Sequence, residues 1–267
     1  MIIIKVGGGK NINWDYVAAD ITSLVKDGKK VVVVHGASEK RDELAKKLGI
    51  PTKTVVSPTG ISSVLTDAAA IEVFLMAYCG LVNKTIVAKL ISSGVNAVGL
   101  SGVDGRLWQA AKKGEIMIKE NKKIKLLKGN LTGRVEKIND RLITLLVNNG
   151  YVPVISAPAI SHDSEIVNTD NDFATAVMAG SLGVSEVVYL FEAPGLLKDF
   201  QDKKSVIPSI KKDSLDEFMK FAEGRMKKKL LGVKKAFELG VKKIYFGDGR
   251  VKNPITNVLK GNGTIIS

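Results

Sequence analysis

"IIIKVGGGK", residues 2–10, sets three branched aliphatics, one lysine and three successive glycines in a row. A short apolar run with no polar alternation is the pattern of a strand covered on both faces, as in parallel sheets sandwiched between helices. Similar runs recur along the 267 residues, at 31–34 ("VVVV"), 95–100, 152–156, 186–191 and 242–246. Helical spacing fills the intervals. Asn13 is placed to cap a helix with Trp14, Val17, Ile21, Leu24 and Val25 on one face. Thr66 is placed to cap another through "DAAAIEVFLMA", and 139–149, 172–182, 214–223 and 226–239 add further helices. Alternation of strand and helix predicts an α/β fold, a three-layer α/β/α sandwich on a mostly parallel central sheet. Residues 115–127 and 158–168 break the rhythm and read as hairpins. No repeat or Gly/Pro/Ser linker divides the chain, so 1–267 reads as a single domain.

Composition narrows the function. Hydrophobic residues make up 45% and aromatics 6%, which fits a globular interior of Val, Ile, Leu and Ala. The apolar start is cut short by Lys5, and no stretch reads as a membrane span, so a cytoplasmic location is expected. A single cysteine, Cys79, in an apolar run, reads as core filler. With only His35 and His162, no metal-binding constellation is expected. Forty basic residues against 27 acidic ones give a net charge of +13, a field that favours anionic partners without choosing among them.

Five stretches could carry chemistry, each with a plainer reading beside it. Glycines after the first strand can bring backbone N–H groups to a phosphate, or simply make a tight turn. Lys5 is harder to dismiss, because a lysine in so apolar a strand needs an anion. "VVVVHGASEK" (31–40) supplies a second small-residue turn, where His35 is either a general base or, the better reading, a structural histidine. In "EIVNTDNDFATAVMA" (165–179), Asn168, Asp170 and Asp172 lie where caps are ordinary. "AEGRMKKKLLGVKK" (222–235) carries six basic residues, a solvated helix face or a phosphate site. The hairpin with its flanks (112–128) holds seven lysines, two glutamates and no aromatic residue, which weakens a nucleic-acid reading.

Taken in order, "IIIKVGG", "VVVVHGAS", "GLSGVDG", "GYVPVIS", "VNTDNDFATAVMA", "APGLL", "GRMKKKL" and "GTII" resemble the amino acid kinase family, closest to its acetylglutamate kinase branch. The resemblance spans essentially the whole chain. "SPTGISSVLTD" (57–67), "LTGRVEKIN" (131–139) and the basic hairpin are similar to kinases of carrier-linked lysine and arginine biosynthesis. Those enzymes phosphorylate an aminoadipate or glutamate attached through its amino group to a small acidic carrier protein, LysW. The resemblance implies that Lys5 and Lys229 stabilise the migrating phosphoryl group and that Asp172 orients them. It implies that Gly7 and Gly8 form the phosphate loop, and that Gly36, Ala37 and Ser38, Val64 and Asn168 border the acceptor. Glu192, Gly195, Leu196, Gly224 and Met226 fall in the segments that hold ATP, which is used with Mg²⁺. Residues 1–170 would form the acceptor lobe and 171–267 the ATP lobe. A homodimer through the helix near 66–79 is also implied, although "IEVFLMAY" reads equally well as core.

The chemistry accounts for so sparse a set. A side-chain carboxylate, with an unperturbed pKa of about 4.3, is already ionised near neutrality, so no general base is required. The difficulty is an anion attacking an anion, which positioning and charge neutralisation overcome. Three departures from the family stand out. Val64 replaces an arginine that grips the substrate carboxylate, and Lys53 is the expected substitute. Gly36-Ala37-Ser38 replaces three glycines, and Phe191-Glu192 replaces a Thr/Ser-Asp pair. The competing expectations are a kinase of free N-acetylglutamate, and an inactive basic regulatory or nucleic-acid-binding homologue.

Overall fold

The computed structural model describes residues 1–60, 62–120, 123–222 and 224–267, with the backbone alone at Arg225. Six of its strands are those the apolar runs announce: β1 (Ile2–Val6), β2 (Val31–His35), β5 (Ala97–Gly102), β10 (Val152–Ser161), β12 (Glu186–Phe191) and β14 (Lys243–Asp248). The segments around them add β6 (Trp108–Lys113), β9 (Thr132–Ile138), β11 (Ile166–Thr169), β13 (Ser209–Ile210) and β15 (Thr264–Ile266). Together they form one sheet in the order β11-β9-β6-β10-β2-β1-β12-β14-β15-β13, with β5 on the side of β10. Its centre, from β10 through β2, β1 and β12 to β14, is parallel throughout. Strand β1 pairs with β2 on one side and β12 on the other, so the sheet runs unbroken between the two halves of the chain.

The period of two in β1 divides the core. Ile2, Ile4 and Val6 face a cluster that includes α1 (Trp14–Lys26), α4 (Asn83–Ser92) and α9 (Pro254–Leu259). Ile3 faces the opposite cluster, shared by α3 (Ala68–Phe74), α5 (Asp140–Asn148), α6 (Asn171–Ser181) and α8 (Gly224–Glu238), and Lys5 lies on that same side. Helix α2 (Ser38–Lys47) follows β2, and a short turn of helix, α7 (Leu215–Phe218), precedes α8.

Several expectations are corrected. The helix after Thr66 is capped by Asp67, whose Oδ1 accepts the Ala70 N–H at 2.9 Å, because Thr66 is buried and engaged elsewhere. That helix does not stop near residue 77. It continues through a π-helical stretch, Leu75–Val82, into α4, and the whole Ala68–Ser92 is long and apolar enough to cross a membrane. Here, however, it passes from one face of the sheet to the other: Phe74 and Tyr78 pack in the cluster on the Ile3 side, Ile86 and Leu90 in the cluster on the Ile2 and Ile4 side. Strand β10 runs on past 156 to Ser161 before pairing antiparallel with β11, so the 158–168 hairpin extends a core strand. Two small ribbons stand apart from the main sheet: β3 (Thr54–Val56) with β4 (Ser62–Val64), and β7 (Ile116–Glu120) with β8 (Lys123–Leu127).

Candidate active site

Lys5 enters the interior because β1 is flanked by strands on both edges, and it is 7% exposed. Its Nζ lies 2.6 Å from Asp172 Oδ1. Lys229, on α8 and equally buried, donates from Nζ to the other oxygen, Oδ2, at 2.9 Å. Asp172 reaches both because Asp170 takes the capping role: its Oδ1 accepts the N–H groups of Asp172 and Phe173. The Lys229 ammonium also lies 5.2 Å from the ring centre of Tyr189 and 5.4 Å from that of Phe191. Gly232, one turn beyond Lys229, lets α8 approach α6, since a Cβ there would come within 3.2 Å of the Asp172 backbone.

Two cations share one anion in a water-poor interior, and their titration reflects this. Burial would lower the Lys5 amine, but the Asp172 charge outweighs it and holds Lys5 above its ordinary range. Burial would raise the Asp172 carboxyl, yet Lys229 and Lys5 hold it far below the usual carboxylate range. Lys229 bears the remaining cost: burial and the neighbouring Lys5 bring it down to about 8, against the pull of Asp172. The group as a whole carries an excess positive charge, an environment built to receive a further anion.

The two glycine turns meet beside this group. Gly7 N–H donates to Leu190 O and Gly36 N–H to Val6 O. A Cβ on Gly8 would lie 2.4 Å from Ala37 N and 2.5 Å from Ser38 N, so only glycine allows the turns to touch backbone to backbone. Ser38 Oγ and Glu39 N–H both donate to Gly8 O, locking the first turn of α2 onto the loop. Burial pushes His35 down to about 4, and its Nε2 accepts from Asn83 Nδ2 at 3.0 Å. The neutral ring, fixed from both sides, is structural, and it holds the end of β2 in place. Asn171, which the sequence did not single out, donates from Nδ2 to His35 O and so ties the second glycine turn to α6. Its only forewarning was its place next to Asp172.

Of the residues expected to border the acceptor, Asn168 donates from Nδ2 to Thr66 Oγ1 at 3.1 Å, and Leu131 N–H donates to Thr66 O. Val64, two residues before Thr66, is half-buried in the core cluster. Lys53, the expected substitute cation, is exposed. Two buried oxygens at the β11–α6 junction, Thr169 Oγ1 and Asn171 Oδ1, have no hydrogen-bond partner among the described residues.

The residues expected to hold the nucleotide separate into two groups. Glu192 lies on the glycine loop, accepting the Asn11 N–H at 2.7 Å, where a Cβ on Gly9 would collide with its carboxylate. Leu196 is fully buried, and its N–H is taken by Thr264 Oγ1, while a Cβ on Gly195 would meet the same hydroxyl at 2.5 Å. These two hold the loop against β15. Gly224 opens α8 with φ +50°, and Met226 packs on the core. A cavity of about 370 Å³ opens beyond the carboxyl ends of β12 and β14, lined by Pro194, Val206, Asp248, Val251, Asn257 and Asn262 among others. That is within the size range of small-molecule sites and lies where open parallel sheets bind ligands.

A parallel α/β/α sandwich with a buried Lys–Asp–Lys group at paired glycine turns defines a phosphoryl-transfer type of site. The chain belongs to the amino acid kinase family, whose model matches residues 1–248. Over its full length it is 43% identical to a LysW-aminoadipate kinase from Thermus thermophilus, covering all of that protein. It is 33% identical over 269 residues, again end to end, to a LysW-aminoadipate/LysW-glutamate kinase from Sulfolobus acidocaldarius. Among solved structures, the N-acetylglutamate synthase of Neisseria gonorrhoeae superposes with a TM-score of 0.81 at 20% identity, covering all of this chain and 59% of that one. This last likeness shows the fold alone.

Proposed function

We propose that this chain transfers the γ-phosphoryl group of ATP to the side-chain carboxylate of an aminoadipate or glutamate held through its amino group by a small acidic LysW-type carrier. The product is an acyl phosphate of lysine or arginine biosynthesis. The observation that carries the reading is one buried carboxylate shared by two buried amines, Lys5 and Lys229. In this reading the amines face the migrating phosphoryl group from opposite sides, and Asp172 keeps them apart and aimed. The acceptor carboxylate attacks in line, and the developing charge on the equatorial oxygens is met by both amines and by loop N–H groups at Gly8 and the α2 amino end. No base is needed.

The residues present fit ATP: the glycine loop would take its phosphates, and the cavity beyond β12 and β14 its nucleoside. Mg²⁺ would neutralise part of the phosphate charge. Both oxygens of Asp172 face lysines, so the cation's ligands would be phosphate oxygens and water, as Mg²⁺ prefers. Residues 1–170 would receive the acceptor and 171–267 the nucleotide.

The carrier gives the excess charge a role. The β7–β8 ribbon displays Lys119, Lys123 and Lys125 together with exposed Met117, Ile124 and Leu126. Lys122, which falls between the two strands in sequence, lies outside the described residues. Such a surface would steer an acidic partner, faster at low salt. Exposed Met76 and Leu81 on the helix Ala68–Ser92 would form the contact of a cytoplasmic homodimer, which light scattering would read as twice 28.7 kDa.

Trapping the acyl phosphate with hydroxylamine tests the reading. ATP with the carrier-bound acceptor should give hydroxamate, free N-acetylglutamate much less, and Lys229→Ala none above background. Equal turnover of the free acceptor would favour an acetylglutamate kinase, and no hydroxamate with either acceptor would overturn kinase activity.

A further inference from the structure

A dicarboxylate held by its amino group brings two carboxylates into the cleft, one that accepts phosphate and one that does not. The second must also leave water, at a cost that only a well-placed cation offsets. Lys5 and Lys229 are committed to Asp172, Lys53 is exposed, and Val64 is apolar.

Arg41 is differently placed. It lies in the first turn of α2, three residues beyond Ser38, and its side chain is 7% exposed. Its Nε and Nη2 both donate to a single oxygen, Asp42 Oδ1, at 2.9 and 2.7 Å. That leaves Nη1 without a hydrogen bond among the described residues, and the fork geometry that suits a carboxylate unused. Asp42 is itself 46% exposed, and its Oδ1 also accepts from Thr52, just ahead of β3. The guanidinium rests 5.1 Å from the ring centre of Phe74, which in turn stacks on Tyr78 at 5.1 Å. The Tyr78 hydroxyl lies against the Ala37 backbone, in the fields of both Arg41 and Lys5. Arg41 therefore sits where α2, α3 and the β3–β4 ribbon meet. Phe74 and Tyr78 form one path from it towards the acceptor turn and Lys5.

We propose that Arg41 is the specificity-determining cation that binds the acceptor's non-reacting carboxylate, bidentately and in partial exchange for Asp42. This rests on the carrier-linked kinase reading. Phe74 presents the guanidinium, and half-exposed Asp42 can turn to water when substrate arrives. A bound carboxylate there fixes the length of the acceptor between Arg41 and the migrating phosphate.

The test is a set of steady-state measurements on full-length Arg41→Gln, Arg41→Lys and Asp42→Asn, each with its melting temperature. With the carrier-bound acceptor, Arg41→Gln should raise the acceptor KM at least tenfold, about 1.4 kcal/mol, with kcat and the ATP KM within twofold of wild type. Arg41→Lys, which keeps the charge and loses the fork, should fall between. Asp42→Asn, which removes the anion that the acceptor displaces, should leave the acceptor KM no higher than that of wild type. An acceptor whose non-reacting carboxylate is amidated should be used equally by wild type and Arg41→Gln, closing a double-mutant cycle.

An unchanged acceptor KM in Arg41→Gln would overturn the proposal. So would Asp42→Asn reproducing the Arg41→Gln defect, because the pair would then be purely structural. If Arg41→Gln fails to fold, the comparison of Arg41→Lys with Asp42→Asn decides on the same criteria. A wild type inactive on the carrier-bound acceptor but active on free N-acetylglutamate would sink the carrier reading alone. The same KM criterion would then be read on the free acceptor.

Discussion

The buried Lys5–Asp172–Lys229 group and the exposed β7–β8 ribbon both gather lysines around carboxylates, yet the surroundings give those charges different work. In the first, side chains about 8–12% exposed are held by sheet and helix, and each amine has one fixed direction. In the second, Lys125 pairs with Glu120 and Lys128 with Glu115, with every partner at least half exposed. Water and salt screen the ribbon, so its charges act over distance on a partner's approach. Low dielectric makes the buried charges strong, costly and directional, which suits the bond-making step.

The widest separation between the two regions should come from removing Asp172. Asp172→Ala leaves two buried ammonium groups facing each other and should cost about 3–5 kcal/mol of stability by denaturant unfolding, along with activity. On the proposed mechanism Lys229→Met removes one donor to the transferring group and should lower kcat by roughly 10²–10³ with a smaller change in acceptor KM. Titration gives the same contrast. Since Lys229 titrates near 8 in the free protein, kcat/KM should fall as pH rises beyond about 8. Stability should move the other way there. The folded pKa lies below the unfolded one, so between about 8 and 10.5 the unfolded chain binds more protons and the fold gains. Calorimetry showing unfolding in step with the alkaline loss of activity would contradict this account. Asp172, whose folded pKa is depressed, stabilises the fold above the ordinary aspartate range, and that contribution should be lost on acidification through and below it.

Effects on the ribbon should be smaller and dependent on salt. Changing Lys119, Lys123 and Lys125 together to Glu should reduce kcat/KM for the carrier-bound acceptor about tenfold at low salt. The loss should shrink towards molar salt, where the Debye length is about 3 Å, and the rate on a free acceptor should not change. A salt-independent loss would mean that the ribbon shapes the site rather than steering a partner. At the lower end, Glu120→Ala should shift stability by only a few tenths of a kcal/mol, because its ion pair is solvated.

Much of the fold was legible because it rests on local pattern. The apolar runs of β1 (around Lys5), β2 and β12 declare burial on both faces, and Asn13 caps α1 as its position predicts. Where the sequence misled, a tertiary contact had overridden a local preference. Thr66 is a good cap by type, but Leu131 and Asn168 claim its oxygens, and the cap passes to Asp67. Helix α2 was not foreseen. Its charged run "SEKRDELAKK" has almost no apolar face, because the helix leans on the glycine loop through Ser38 and Glu39. Asn171, Asn83 and Arg41 escaped notice for a related reason. A polar residue inside a polar helix turn looks solvated until the opposite wall is known.

The sequence alone determined the parallel sandwich, the position of an amine in a strand with no room for water, and a surplus of positive charge. These follow from periodicity and composition, which need no partner. The tertiary structure decided that Lys5 and Lys229 share the carboxylate of Asp172, that His35 is a neutral strut, and that Arg41 is buried beside the second glycine turn. Those facts depend on distances of a few ångströms between segments far apart in the chain, and Coulomb and hydrogen-bond energies are set by such distances.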